Sequence, residues 1–152
     1  MSDKKIARYG RIIKQLEELL AKQKNLQSRM ATINALLYHK MDGFFWVGFY
    51  LLQEGKLLVG PYQGPLACIE LPKDTGVCWA CINSGKPVIV HDVHQFPGHI
   101  ACDSRSNSEI VIPVKDTNGS ILGVLDIDSR EIGNFDDTDR EYIERITELL
   151  FR

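Results

Sequence analysis

Apolar residues recur at helical spacing at the start of the chain. Ile6, Tyr9, Ile13, Leu16, Leu19 and Leu20 form one stripe, which predicts an amphipathic helix over 5–22. Asn25 is placed to cap a second helix whose apolar face carries Leu26, Met30, Ile33, Leu36 and Leu37. The charged residues between these positions read as solvated faces. After Gly43 the pattern changes. Residues 44–52 are aromatic and β-favouring and predict a strand. Gln53-Glu-Gly-Lys56 predicts a hairpin turn, with a return strand over 56–60, a Gly/Pro loop over 61–65 and a short strand over 67–71. Residues 76–84 predict a short helix stopped by Gly85, and 87–90 another short strand. A long irregular stretch, 91–107, follows. Residues 108–114 and 120–128 then predict two strands around the turn Asp116-Thr-Asn-Gly119. A last helix, capped by Asp136 or Asp137, presents Tyr142, Ile143, Ile146, Leu149 and Leu150.

Strands arranged as hairpins, with helices at both ends, predict an α+β fold: a central antiparallel β-sheet with the N- and C-terminal helices packed on one face. The chain has 152 residues, 44% hydrophobic and 25% charged, which suits one domain, 1–152, with its own core. The net charge of −2 gives no electrostatic case for nucleic acid or an acidic membrane surface. The polar N-terminus lacks an apolar signal core, and no apolar run reaches the roughly 18 residues of a membrane span. The expectation is a cytoplasmic protein.

That compartment changes the meaning of the four cysteines. Structural disulfides are rare under reducing conditions, so the choice lies between metal binding, redox chemistry and inert burial. Cys78-Trp-Ala-Cys81 and His91-Asp-Val-His94 contain zinc-type ligands. However, the cysteine pair falls inside the predicted helix rather than in a knuckle turn, and the histidine pair starts at a strand end. We expect no metal there. Cys102 differs from a packing residue. It sits in a polar loop, Phe96-Pro-Gly-His-Ile-Ala-Cys-Asp103, near His99 and Arg105, where a thiolate is favoured. A thiolate that takes oxygen becomes a sulfenic acid, which a second thiol condenses to a disulfide. Cys68 or Cys78 could supply that thiol if the fold brings either one near.

Glu109 begins one hairpin strand, and Asp126 and Asp128 end its partner, so the three acids gather at the open end of the hairpin. Asp126 and Asp128 share a face. Clustered carboxylates repel, which favours a proton on at least one and suits a cation on the others. The commoner use of such acids is a solvated strand end. Trp46 and Tyr50 project from one strand face, either as core or as the wall of an apolar slot.

Taken together, Trp46-Val-Gly-Phe-Tyr50, Gly60-Pro-Tyr-Gln-Gly64, Ala67-Cys68, Gly76-Val-Cys78, Asp92-Val-His94, the Cys102 loop, Ser106-Asn-Ser-Glu109 and Gly123-Val-Leu-Asp-Ile-Asp128 resemble the free methionine-(R)-sulfoxide reductases. These are compact single-domain GAF enzymes, and the resemblance runs from about residue 9 to the C-terminus. It implies a GAF-like fold without a cofactor. It also implies reduction of free methionine-(R)-sulfoxide, thioredoxin as reductant and a possible homodimer. By the same resemblance Cys102 is the nucleophile, Cys68 resolves its sulfenic acid, and Cys78 is a third cysteine that can join the disulfide relay. Trp46 and Tyr50 would surround the substrate methyl group. Glu109, Asp126 and Asp128 would hold its ammonium and polarise the sulfoxide oxygen, and the backbone amides near Ile100 and Ala101 would meet its polar end. Cys81 stands where the family usually has another residue, and is expected to pack. The competing expectation is a non-enzymatic GAF module that binds a small ligand and relays a signal.

Overall fold

The computed structural model describes residues 2–99 and 102–152. The elements run in the order α1 (Ser2–Leu20), α2 (Leu26–Lys40), β1 (Trp46–Gln53), β2 (Lys56–Gln63), β3 (Glu70–Leu71), α3 (Gly76–Ser84), β4 (Val88–Val90), β5 (Ser108–Lys115), β6 (Ile121–Ser129) and α4 (Asp137–Glu148). Short 3₁₀ turns at Val93–Gln95 and Leu149–Phe151 complete the list. The strands form one antiparallel sheet of six, in the order β3-β2-β1-β6-β5-β4.

Period-two alternation sorts the strand residues between the two faces of this sheet. Val47 and Phe49, Ile110 and Ile112, and Leu125 and Ile127 are fully buried, in one cluster with Tyr9, Leu16, Met30, Ile33, Leu37, Ile143 and Ile146 from α1, α2 and α4. The terminal helices therefore share a face, as the hydrophobic pattern predicts. The other face carries Trp46, Tyr50, Val111 and Val124 and is covered by α3 through Val77, Cys78, Trp79 and Cys81. The same alternation places Glu109, Asp126 and Asp128 on this α3 side, where an ordinary strand would have apolar residues.

Two boundaries differ from the sequence pattern. β2 continues to Gln63, through the region expected to be a Gly/Pro loop. Gly48 pairs with Tyr62 and Tyr50 with Val59, so Gly60 and Pro61 stand opposite Phe49 alone as a bulge. A bulge tolerates proline, and the β3 ladder on Leu57 and Leu58, extended by Val59 N donating to Ile69 O (2.8 Å), ends before Gly60. The expected strand over 67–71 shortens to Glu70–Leu71. α4 uses Asp136 as its cap, in a reciprocal box with Asp139.

Arg29 has no counterpart in the pattern analysis. It is buried, and its guanidinium donates to backbone carbonyls at the end of α1 and at the C-terminus: Leu20 O (2.6 Å), Gln23 O (2.7 Å), Leu150 O (3.0 Å) and Arg152 O (2.9 Å). It thereby ties the end of α1 to the end of the chain. Removing it orphans several helix-terminal carbonyls at once. Arg29→Ala is expected to cost about 3 kcal/mol in a urea unfolding experiment. A change below about 0.5 kcal/mol would show that water replaces the guanidinium without loss.

Candidate active site

The hairpin register assembles the acids. Glu109 lies directly opposite Asp128, and Asp126 opposite Val111 on the same face. On the other side of β6, Trp46 pairs with Asp128 and Gly48 with Asp126. A Cβ at Gly48 would collide with the Trp46 indole and with Tyr62, so the glycine lets the indole lie across the strand. The indole stacks between Tyr62 (5.2 Å between centroids) and Tyr50 (5.8 Å). This gives a pocket with an aromatic wall on β1, an acidic floor on β5 and β6, and Cys78 of α3 at its side.

The aromatic residues have a second task that their spacing did not reveal. Trp46 Nε1 donates to Pro65 O (3.0 Å), and the Tyr50 hydroxyl donates to Cys68 O (3.0 Å). The pocket wall therefore holds the segment that carries Cys68. Cys68 forms a disulfide with Cys102, with 5.6 Å between Cα atoms and 34 residues between them. Cys102 is exposed and Cys68 half-buried, so the bond lies at the pocket mouth, open to a reductant. Of the two second thiols that the sequence left open, the fold pairs Cys68 with Cys102. Cys78 is a buried free thiol, as is Cys81, whose sulfur points at Val111 O.

The Cys102 loop is pinned next to its cysteine. Asp103 accepts from the Arg105 backbone amide (2.9 Å), Nε (3.0 Å) and Nη2 (2.7 Å). The Arg105 guanidinium sits 4.8 Å from the centre of the Phe45 ring, and Phe45 itself lines the pocket. The hydrogen bonds from Arg105 hold the Asp103 carboxyl down at about 2. His99 Nε2 approaches Glu109 Oε1 at 3.7 Å, and burial lowers its pKa, so it carries less positive charge at neutral pH than a free histidine. Ile100 and Ala101, expected to offer backbone amides, lie outside the described residues. The His91-Asp-Val-His94 segment is held by local hydrogen bonds. Asp92 accepts from His94 N, and His94 Nε2 meets Asn107 Oδ1 at 2.9 Å.

Burial dominates the electrostatics of the acidic floor. It raises Glu109 to about 8, with the Asp128 charge adding to the effect. Asp126 is raised by burial and then by Glu109, and Asp128 by burial and then by Asp126. Asp126 Oδ1 is buried without a hydrogen-bond partner. Burial also pushes the Cys78 thiol up. The trio is thus built to hold protons when empty and to welcome a cation. It also couples to stability. Glu109 ordinarily titrates at 4.5, so between pH 4.5 and 8 the unfolded chain ionises while the folded one stays protonated. The contribution is intact below 4.5 and lost as pH rises through 8; both aspartates have the same sign. The melting temperature of the ligand-free protein should therefore fall across that window, and Glu109→Gln should flatten the slope. A melting temperature that rises over the same range would contradict this electrostatic picture.

Comparison with known proteins is consistent with this geometry. Residues 27–150 match the GAF domain family model. The chain is 44% identical to GAF domain-containing protein A of Dictyostelium discoideum, over 93% of this chain and 89% of that protein. It is 39% identical to the free methionine-R-sulfoxide reductase of Escherichia coli, over 93% of this chain and 86% of that enzyme. The structure of the free methionine-R-sulfoxide reductase of Neisseria meningitidis in complex with its substrate superposes with a TM-score of 0.91, at 40% identity, covering 96% of this chain and 87% of that one. A family model spanning most of the chain, and relatives aligned over nearly all of it, place this protein in the GAF domain family, among the free methionine-R-sulfoxide reductases.

Proposed function

We propose that this chain reduces free methionine-(R)-sulfoxide to methionine. The observation that carries the proposal is the joining of Cys68 and Cys102 at the mouth of a pocket floored by Glu109, Asp126 and Asp128. The kinship with enzymes named for that substrate supports it. The ionised aspartates, Asp126 and Asp128, take the substrate ammonium, which a methionine inside a peptide lacks. Trp46 and Tyr50 enclose the thioether methyl. The Cys102 thiolate attacks the sulfoxide sulfur while the oxygen gains a proton, and the hydroxyl then passes to the Cys102 sulfur as the S–O bond and the transient bond between the two sulfurs break. Glu109, titrating near neutrality, is suited to supply that proton. Methionine leaves with two electrons gained, and Cys102 is left as a sulfenic acid. The Cys68 thiol then attacks the Cys102 sulfur, water departs, and the disulfide closes.

The oxidised pair must next receive two electrons from a dithiol. Thioredoxin fits this role: its first thiolate attacks the exposed disulfide and its second releases the mixed disulfide. Cys78 is a further thiol for the relay. A ligand-binding sensor would need the pocket but has no need of a cysteine pair at its mouth.

Substitution of the resolving cysteine tests the proposal. Cys68→Ser should still form one methionine per chain in a single turnover, yet lose thioredoxin-linked cycling by roughly 10-fold or more. The Cys68→Ser, Cys78→Ser double variant removes the spare thiol. Undiminished thioredoxin-linked turnover in that double variant would overturn resolution by an internal cysteine.

A further inference from the structure

The pocket floor gathers three metal-type donors, each of which also serves the sulfoxide chemistry. Cys78 Sγ, a carboxylate oxygen of Glu109 and one of Asp126 all lie within 4.8 Å of one another, and all three residues are buried. Asp126 is only 5% exposed, and its Oδ1 has no hydrogen-bond partner. A buried oxygen without a partner is costly unless something occupies the space in front of it. One thiol and two carboxylates are a mixed soft and hard set. A tetrahedral zinc ion binds sulfur at about 2.3 Å and carboxylate oxygen at about 2.0–2.2 Å, which puts its donors roughly 3.5 Å apart. Side-chain rotations of about 1 Å would close the present spacing to that geometry. Three protein donors also leave a fourth position facing the pocket, as in sites where the metal keeps one exchangeable ligand.

We propose that Cys78, Glu109 and Asp126 form a binding site for a zinc-class divalent cation that excludes the amino-acid substrate. The cation takes Asp126 from the substrate ammonium and Glu109 from the sulfoxide oxygen. Binding converts the Cys78 thiol to a metal thiolate, and its proton, with any carboxyl proton present, passes to solvent. No electrons move. The site differs from the Cys78, Cys81, His91 and His94 set that the sequence spacing brings to mind. Cys81 turns its sulfur to Val111 O, and His94 is engaged with Asn107. Cys78 therefore has two uses, as a relay thiol and as a metal ligand, and an ion bound to it would block both.

The oxidised protein gives the cleanest test, because Cys68 and Cys102 are tied up in their disulfide and cannot ligate. Equilibrium dialysis against zinc chloride, followed by metal analysis, should give one ion per chain. Cadmium in its place should produce a thiolate-to-metal charge-transfer band. Cys78→Ala should abolish the band and weaken binding about 100-fold, and Asp126→Asn should weaken binding about 10-fold. Cys81→Ala should leave both unchanged. Zinc should raise the KM for methionine sulfoxide at unchanged kcat. Absence of a stoichiometric ion in the wild-type chain would overturn the proposal, and so would an ion that survives Cys78→Ala. The outcome is separable from the reductase assignment: an active reductase that binds no ion refutes the metal site alone. A chain that binds the ion yet forms no methionine once freed of metal refutes the reductase alone.

Discussion

Cys102→Ser is expected to lower methionine formation from methionine sulfoxide by on the order of 10³-fold or more, with dithiothreitol as reductant. The size of the effect follows from what the sulfur does. A serine hydroxyl is scarcely ionised at neutral pH, is a poor nucleophile towards sulfur, and cannot accept the oxygen as a sulfenic acid. The rest of the pocket stays in place, because Trp46, Tyr50 and the acids are positioned by the sheet rather than by the disulfide. Affinity for methionine, followed by the fluorescence of the stacked Trp46, should therefore change less than about threefold. Wild-type rates in Cys102→Ser would end the assignment of the nucleophile. A parallel loss of binding would mean that the disulfide organises the pocket.

Asp126→Asn should act on the opposite side of the reaction. It removes a charge from a dry site where the substrate ammonium has little water to fall back on. Truncating one partner of such a pair costs about 2–4 kcal/mol, or roughly 30- to 1000-fold in kcat/KM, most of it through KM. The ligand-free fold should not suffer. Burial, and then Glu109, resist the ionisation of Asp126, and its Oδ1 is unsatisfied. Relieving that repulsion should hold the melting temperature level or raise it. An unchanged KM would remove Asp126 from the ammonium seat. A large loss of stability would mean that the acid is a structural element of the sheet.

The fold was legible where its physics is local. Helical spacing located α1, α2 and α4, and the turn residues located both hairpins, because each depends on neighbours a few positions away. The course of β2 was not legible. Gly60-Pro61 looks like a strand end, and only pairing with β1 turns it into a bulge. Glu109, Asp126 and Asp128 could be brought together from the hairpin register alone, which is a local construction. Their shifted titration could be anticipated only in direction, since it arises from the α3 cover. The approach of Cys68 to Cys102 spans 34 residues and several elements, and no local rule predicts it; family resemblance did. The hydrogen bonds from Trp46 to Pro65 and from Tyr50 to Cys68 were out of reach for the same reason. So was Arg29, whose role depends on carbonyls at the distant C-terminus. The hold of Phe45 on Arg105, and through it on Asp103, left only a faint trace as a basic residue near a reactive cysteine.

The proposed reaction exchanges the sulfoxide oxygen for the Cys68–Cys102 bond within one chain. The direct measurement is a single turnover without external reductant. Fully reduced protein is mixed with L-methionine-(R)-sulfoxide, and methionine and free thiols are counted together. One methionine should appear for every two thiols lost per chain, and peptide mapping should find Cys68 joined to Cys102. Methionine formed with no loss of thiols, or thiols lost with no methionine, would contradict the account.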